Sequence, residues 1–340
     1  MTTPSPIAPR VVVLIYNPIV QAEGGRRLHD VLGWNDPDAL THGYIDSVRE
    51  ASHGIVNYRV VERIERDAIP VKRDGFRYST EGYLRAWRSR SGFHEPDGAD
   101  YPAMLHDADF ARKVEAGLAD ELWIFGAPYF GFFESCMGGR GAIWCNGDIV
   151  PGTGSIPRRF CVMGFSYERS VGEMLENLGH RAENIMEHVF SDLPEDPITP
   201  WKGGDNLSFW DKLIGKRPDP TATPAPAPSP SLTGNLWRAF TRYDHRHGGA
   251  ASCGNVHFAP SSTRDYDWGN QNSVLTNADD WLNYPHFTGE VKLQNCEAWG
   301  HGDIRAHHVW WMQRFPHVPG TTPTGKPHNW WAPIAGLTDF

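Results

Sequence analysis

Short apolar runs alternate with helical stretches through the first 190 residues, and this alternation limits the fold more than any other feature of the chain. Val11–Tyr16 is a run of six residues without a charge. A strand that is apolar at every position is buried on both faces, as in a sheet lying between helix layers. Glu121–Gly126 and Arg159–Phe165 repeat the pattern, and Ile55–Val61 gives a further strand. Between them, Pro37–Ala51 has helical spacing with Asp36 as N-cap, Ala108–Leu118 reads as a helix, and Ser170–Phe190 is the clearest helix in the chain. The expected architecture is α/β: a layered domain with a mostly parallel sheet.

The pattern breaks near residue 216. Residues 218–230 hold six prolines among Ala, Thr and Ser, the composition of an extended linker or exposed loop. The expected organisation is an α/β domain over 1–215, a Pro/Ala-rich connection over 216–233, and an irregular segment over 234–340. That last segment carries eight of the 14 Trp and nine of the 16 His. Only Asp303–Phe315 is convincingly helical there. So little periodicity seldom folds alone, so the segment is expected to pack on the α/β part and complete its site, with Trp supplying the buried area.

Composition excludes several classes. A net charge of −9 offers no basic face to duplex nucleic acid and no attraction to an anionic membrane. The longest pure apolar run is six residues, against the roughly 20 a spanning helix needs. Met1–Arg10 followed by that run does not read as a secretory signal, so the chain is expected to be either not exported by that route or a mature form. The compartment stays open. The five cysteines are odd in number and include no Cys-x-x-Cys; an all-reduced state and one or two disulfides are equally open, with Cys136 and Cys145, and Cys253 and Cys296, as the pairings to examine. No P-loop, no dinucleotide fingerprint after a strand, no G-x-S-x-G and no H-E-x-x-H occurs.

Ligands of open α/β sheets bind beyond the carboxyl ends of the strands. The first strand delivers Asn17 there, the third Tyr129 and Glu134, and the fourth Glu168 and Arg169. Glu134 and Glu168 are the expected catalytic carboxylates, dividing acid and base roles, with Asn17, Tyr129 and Arg169 binding substrate. The competing reading makes them ordinary polar loop residues. The segment from Cys253 to Asn270 adds His257, Asp265 and Asp267 as catalytic groups. If 265–267 is a strand, both carboxylates share a face and, with His257, offer a site for a divalent cation, Zn or Ca. The same residues also make good turns. Trp268 and Trp299 are the expected stacking platforms.

The long helix carries Glu173, Glu176, His180, Glu183 and Glu187 within about 80° of arc, at about 100° per residue. Its apolar residues lie opposite, so the stripe reads as a solvated face, with Ser170 and Glu173 forming a capping box. A metal or catalytic stripe would require the C-terminal segment to cover it. His301, Asp303 and His307 form another cluster, with Asp303 serving equally as an N-cap.

These readings give an expected hydrolase acting on a small-molecule substrate, most plausibly carbohydrate, by paired carboxylates. The alternatives are a metal-dependent hydrolase using His257, Asp265 and Asp267 with His180, and a non-catalytic carbohydrate- or surface-binding protein.

Overall fold

The structure is a computed structural model that describes residues 4–200, 228–338 and 340. Residues 201–215 and most of the proline-rich connection expected over 216–233 lie outside the described residues.

Five strands form the main sheet: β1 (Arg10–Tyr16), β2 (Arg59–Arg66), β3 (Glu121–Gly126), β4 (Ser135–Gly138) and β5 (Phe160–Ser166). Their order is β2-β1-β3-β5-β4. Every pairing is parallel except β4 on β5. The chain steps from β1 outward to β2, then crosses back over β1 to β3. The sheet therefore has a switch point at β1/β3, the position where open α/β sheets leave a crevice. β1, β3 and β5 are buried along nearly their whole length, which accounts for their unbroken apolar sequences. β2 begins four residues later than its apolar signal suggests. Ile55 and Val56 make only a bridge to Ile7, and the edge strand itself is the charged run Arg59–Arg66. Charge on an exposed edge discourages pairing with another chain.

Helices cover both faces. On one, α1 (Pro37–Ala51) and α5 (Val171–Phe190) lie side by side. Asp36 caps α1 through the Ala39 amide, and Ser170 and Glu173 form the capping box of α5. Tyr44 of α1 meets Trp123 and Phe165 on this face. Phe160, five residues from Phe165 and so on the other face, meets Phe110. Of the helix expected over 108–118 only the shorter α4 (Phe110–Glu115) forms, and α2 (Thr80–Ser89) and α3 (Tyr101–Asp107) precede it in the crossover. Asp109, at φ +47°, separates α3 from α4, and Asp100 with Pro102 starts the turn earlier than the apolar spacing implies.

The C-terminal part adds a third tier on the α1/α5 face. It contains α6 (Leu236–Phe240), α7 (Ile304–Met312) and α8 (Trp331–Gly336) among irregular loops. Helix α7 packs on both α5 and α1, and α8 packs on α5. Trp237, Phe240, Trp281, Trp311 and Trp330 form a connected ring cluster within the core. Two glycines of α5 permit this approach. A Cβ at Gly172 would stand 2.3 Å from Ile304, and one at Gly179 2.6 Å from Val256.

All five cysteines are buried free thiols, so neither expected pairing forms. The β4–β5 register sets Met137 opposite Cys161, and the Cys145 thiol lies beside that of Cys161. Among the described residues, no helix is long and apolar enough to cross a membrane.

At the amino end of the sheet, Asp120 accepts hydrogen bonds from Arg10 at 2.8 Å and Arg158 at 2.6 Å. Burial disfavours its charge, but the two guanidinium groups outweigh that and hold its carboxyl down to about 2. A depressed folded pKa stabilises above the unfolded value of about 3.9, and the gain disappears as pH falls through the folded value. Asp120→Asn is therefore expected to cost about 2 kcal/mol at pH 7 in urea unfolding. It should also flatten the loss of stability between roughly pH 4 and pH 2. An unchanged acid limb would show that this carboxylate contributes nothing.

Candidate functional site

The stripe on α5 is covered. Glu176 is buried and His180 largely so, because the loop 254–257 of the C-terminal part lies across them. Several hydrogen bonds hold that loop. The indole of Trp311 donates to the Gly254 carbonyl at 3.0 Å, and that of Trp268 to the Val256 carbonyl at 3.1 Å. The Val256 amide donates to Glu183 at 3.2 Å. His257 is thereby delivered onto the helix. Its Nε2 lies 3.1 Å from His180 Nε2 and 3.3 Å from Glu176 Oε1, and His180 Nε2 lies 4.0 Å from that same oxygen.

Glu176, His180 and His257 each offer one ligand atom, and the three atoms lie within 4.8 Å of one another. Ligands about 2.0–2.1 Å from a tetrahedral zinc stand roughly 3.4 Å apart, so the spacing suits one small ion. The outer ring nitrogens also have acidic neighbours. His180 Nδ1 donates to Glu183 at 3.0 Å, and His257 Nδ1 lies 3.7 Å from Asp265. The first of these turns the His180 Nε2 lone pair toward the cluster. Burial penalises the charged form of His180, but Glu183, Glu134 and Glu176 overcome it and raise its pKa. Burial works against the Glu176 carboxylate too, yet His257, His308 and His180 bring its pKa below the ordinary value. The ring of His308 is wholly buried, which pushes its pKa down to about 4. Its Nδ1 donates to the Ile304 carbonyl at 2.7 Å.

A cavity of about 520 Å³ opens beside the cluster, beyond the carboxyl ends of β3 and β5. Tyr129, Glu134, Glu168 and Arg169 line it, together with Glu173 and Asn177 of α5. Glu134 belongs to both features: its Oε2 is 3.9 Å from His180 Nε2 and accepts from Asn146. The wall at Tyr129 is held rigidly. Buried Lys72 donates to the Tyr129 carbonyl at 2.7 Å and pairs with Asp97, while the Tyr129 ring stacks on Phe93 at 3.6 Å. Gly131 in this turn sits at φ +86°, where a Cβ would strike the Ala99 amide and Lys72 Nζ.

The structure thus brings Tyr129, Glu134, Glu168 and Arg169 to one cavity, and His257 with Asp265 to the adjoining cluster. Six other residues lie elsewhere. Asn17 is buried and spends its amide on His29, at 2.8 Å, tying down the turn after β1. Asp267 does not share a face with Asp265, because Tyr266 at φ +59° breaks the extended alternation. Its carboxylate closes a turn by accepting from Thr263 and Asn270. Trp268 and Trp299 are core residues rather than platforms: Trp268 stacks on His307, and Trp299 is fully buried with its indole donating to the Trp268 carbonyl. Asp303 caps α7 through the Ala306 amide, and His307 is buried beside Trp268. The groups that sequence reasoning left on a solvated face are Glu176 and Glu183. Their signal was Glu-x3-His on the helix, which gains meaning only once a second segment covers it.

Gly179 makes that cover possible. In an open helix Gly→Ala gains about 1 kcal/mol. Here the added methyl meets a buried Val256, and overpacking of this kind costs about 1–3 kcal/mol. Gly179→Ala is expected to lower stability and to speed hydrogen exchange at the Val256 amide by loosening its bond to Glu183. Higher stability with undiminished protection would show that the loop does not rest on the helix.

No known protein family, curated protein or solved structure matches this chain.

Proposed function

We propose that the chain is a metal-dependent hydrolase whose divalent ion is held by Glu176 Oε1, His180 Nε2 and His257 Nε2. The observation that carries this reading is the convergence of three ligand atoms within 4.8 Å, each imidazole having a carboxylate at its other nitrogen. Such outer carboxylates orient ligand histidines and raise their basicity. Two imidazoles and one carboxylate suit zinc better than calcium, which prefers six to eight oxygens. An ion with three protein ligands and an open position lowers the pKa of bound water to about 7. Glu134, between the cluster and the cavity, is placed to take a proton from a water on that side. Arg169 and Tyr129 orient a polar substrate in the cavity.

A second reading rests on Glu134 and Glu168 lining one cavity: acid/base hydrolysis by two carboxylates without an ion. Its carbohydrate form loses Trp268 and Trp299, which are buried, and keeps Trp87 and Tyr129 as ring surfaces lining the cavity.

Metal analysis and zinc calorimetry separate the two. The purified protein is expected to bind one equivalent of zinc, His180→Ala and His257→Ala to abolish that binding, and Glu183→Gln to weaken it about 10–100-fold. Hydrolysis of chromogenic esters, phosphate esters and glycosides should stop on chelation and return with zinc. Hydrolysis that survives chelation but is lost in Glu168→Gln would favour the paired carboxylates. Zinc binding that is equal in wild type and the double histidine variant would sink the metal reading.

A further inference from the structure

The charged lining of the cavity is Arg90, Asp97, Glu134, Glu168, Arg169 and Glu173. Three of its four carboxylates are already engaged. Asp97 pairs with buried Lys72, Glu134 accepts from Asn146 at 2.5 Å, and Glu173 accepts from the Ser170 amide at 2.9 Å in the capping box. Among the described residues, neither the Arg90 nor the Arg169 guanidinium forms a hydrogen bond or an ion pair, and the Glu168 carboxylate is equally uncommitted. The free charges of the cavity are therefore two cations and one anion, in a chain whose net charge is −9.

Arg90 is also placed in a way that ending a helix does not require. It follows α2 in the left-handed region, at φ +53°, where glycine is the usual residue, and its amide closes the helix on the Ala86 and Trp87 carbonyls. Its guanidinium lies 3.9 Å over the ring of Trp87, which Trp34 in turn meets edge-on at 5.0 Å. Stacking occupies a face of the guanidinium and leaves its in-plane N–H donors free. An oriented fork of donors with no carboxylate to fill it matches the paired oxygens of a carboxylate or phosphate group. Arg169 reaches the same cavity from a separate element, the turn between β5 and α5. Tyr129 and Phe132 give the cavity ring surfaces beside these charges.

We propose that the cavity takes a small organic anion, its carboxylate or phosphate group bound by Arg90 and Arg169 and its apolar body set against Tyr129 and Phe132. The inference rests on the reading of this cavity as the substrate site and adds the class of substrate; it does not require an ion in the neighbouring cluster. Glu134 lines the same cavity and lies 3.9 Å from His180 Nε2, so an anion anchored at the arginines shares one chamber with the group that joins the cluster.

Phenyl phosphate, benzoate and the neutral phenyl glucoside are the probes, titrated by calorimetry into the metal-stripped chain so that no ion supplies a contact to the anion. At least one of the two anions is expected to bind with one-to-one stoichiometry, the tighter of them identifying the preferred group, and the glucoside to bind more weakly than that anion. Arg90→Gly, which suits the left-handed backbone, and Arg169→Ala should each weaken the anion about 10-fold or more. Arg88→Ala removes the same charge from α2 outside the cavity, where Arg88 pairs with Glu23, and should leave the affinity unchanged. Equal affinity in wild type and the Arg90→Gly/Arg169→Ala double variant overturns the proposal, as does a glucoside that binds as tightly as the better anion, or no binding of either anion. Zinc titration of the same preparations is read separately: loss of the anion site leaves the three-ligand cluster standing, and a chain that binds the anion but no zinc keeps the anion site and loses the cluster.

Discussion

Arg181 and Glu121 are both fully buried, and their side chains meet at 2.8 Å beneath helix α5. Glu121 also accepts from Tyr58 and from the indole of Trp123, so its carboxylate is hydrogen-bonded on both oxygens. A pair like this adds little net stability over an apolar replacement, but removing one partner costs about 3–5 kcal/mol because the other charge is stranded. Its consequence is geometric. Arg181 is pinned toward the sheet at the first residue of β3, which fixes the rotation of α5 about its axis. His180 is one residue away, about 100° around the helix, and Glu176 about 40° beyond it. With Arg181 committed to the sheet, the Glu/His stripe has to face away from it.

That outward face would be solvated if the chain stopped at residue 190. The aromatic C-terminal part supplies the cover, and the way it does so follows from tryptophan chemistry. Each indole offers a large apolar surface and a single N–H donor. Trp311 and Trp268 bury their rings in the core while their N–H groups hold the carbonyls of Gly254 and Val256. Irregular backbone can be buried only when its polar groups find partners. A Trp-rich segment can therefore carry a nonrepetitive loop onto a helix without stranding its carbonyl groups, and the imidazole of His257 arrives with it.

The fold was legible wherever burial alone writes the sequence. β1, β3 and β5 are covered on both faces and read as continuous apolar runs; α1 and α5 announce themselves by Asp36 and by Ser170 with Glu173. The edge strand was displaced because half of its surroundings are water, so its residues answer to charge rather than apolar patterning. Helix α3 was missed since its start is marked by Asp100 and Pro102, not by periodicity. At the site, loop position after a parallel strand was enough to gather Tyr129, Glu134, Glu168 and Arg169 on one cavity. The cluster was not legible in the same way. Helical periodicity describes a helix against its own sheet and carries no record of a segment 77 residues further on that packs over its other side. Trp268 and Trp299 failed as surface platforms for the matching reason: an irregular segment has few other residues large enough to make its core.

The division of labour between helix and loop also bears on how ionisable groups come to be tolerated here. Glu176, His180 and Glu183 sit on a rigid helix, where their spacing is set by hydrogen-bond geometry. His257, Asp265 and Tyr266 sit on a loop held at a few points. Residues four apart on one helix face supply two donors to one ion, so a third has to come from another segment. A cluster built wholly on the loop would lack fixed spacing. Joining the two gives converging donors, and Glu183 holds the Nδ1 proton of His180 so that its Nε2 faces them. The result is a cluster kept under cover of protein while Glu134 connects it to an open cavity. The geometry of the cluster therefore depends on the tertiary contact between α5 and the C-terminal loop, and loosening that contact disperses the donors without altering any one of them.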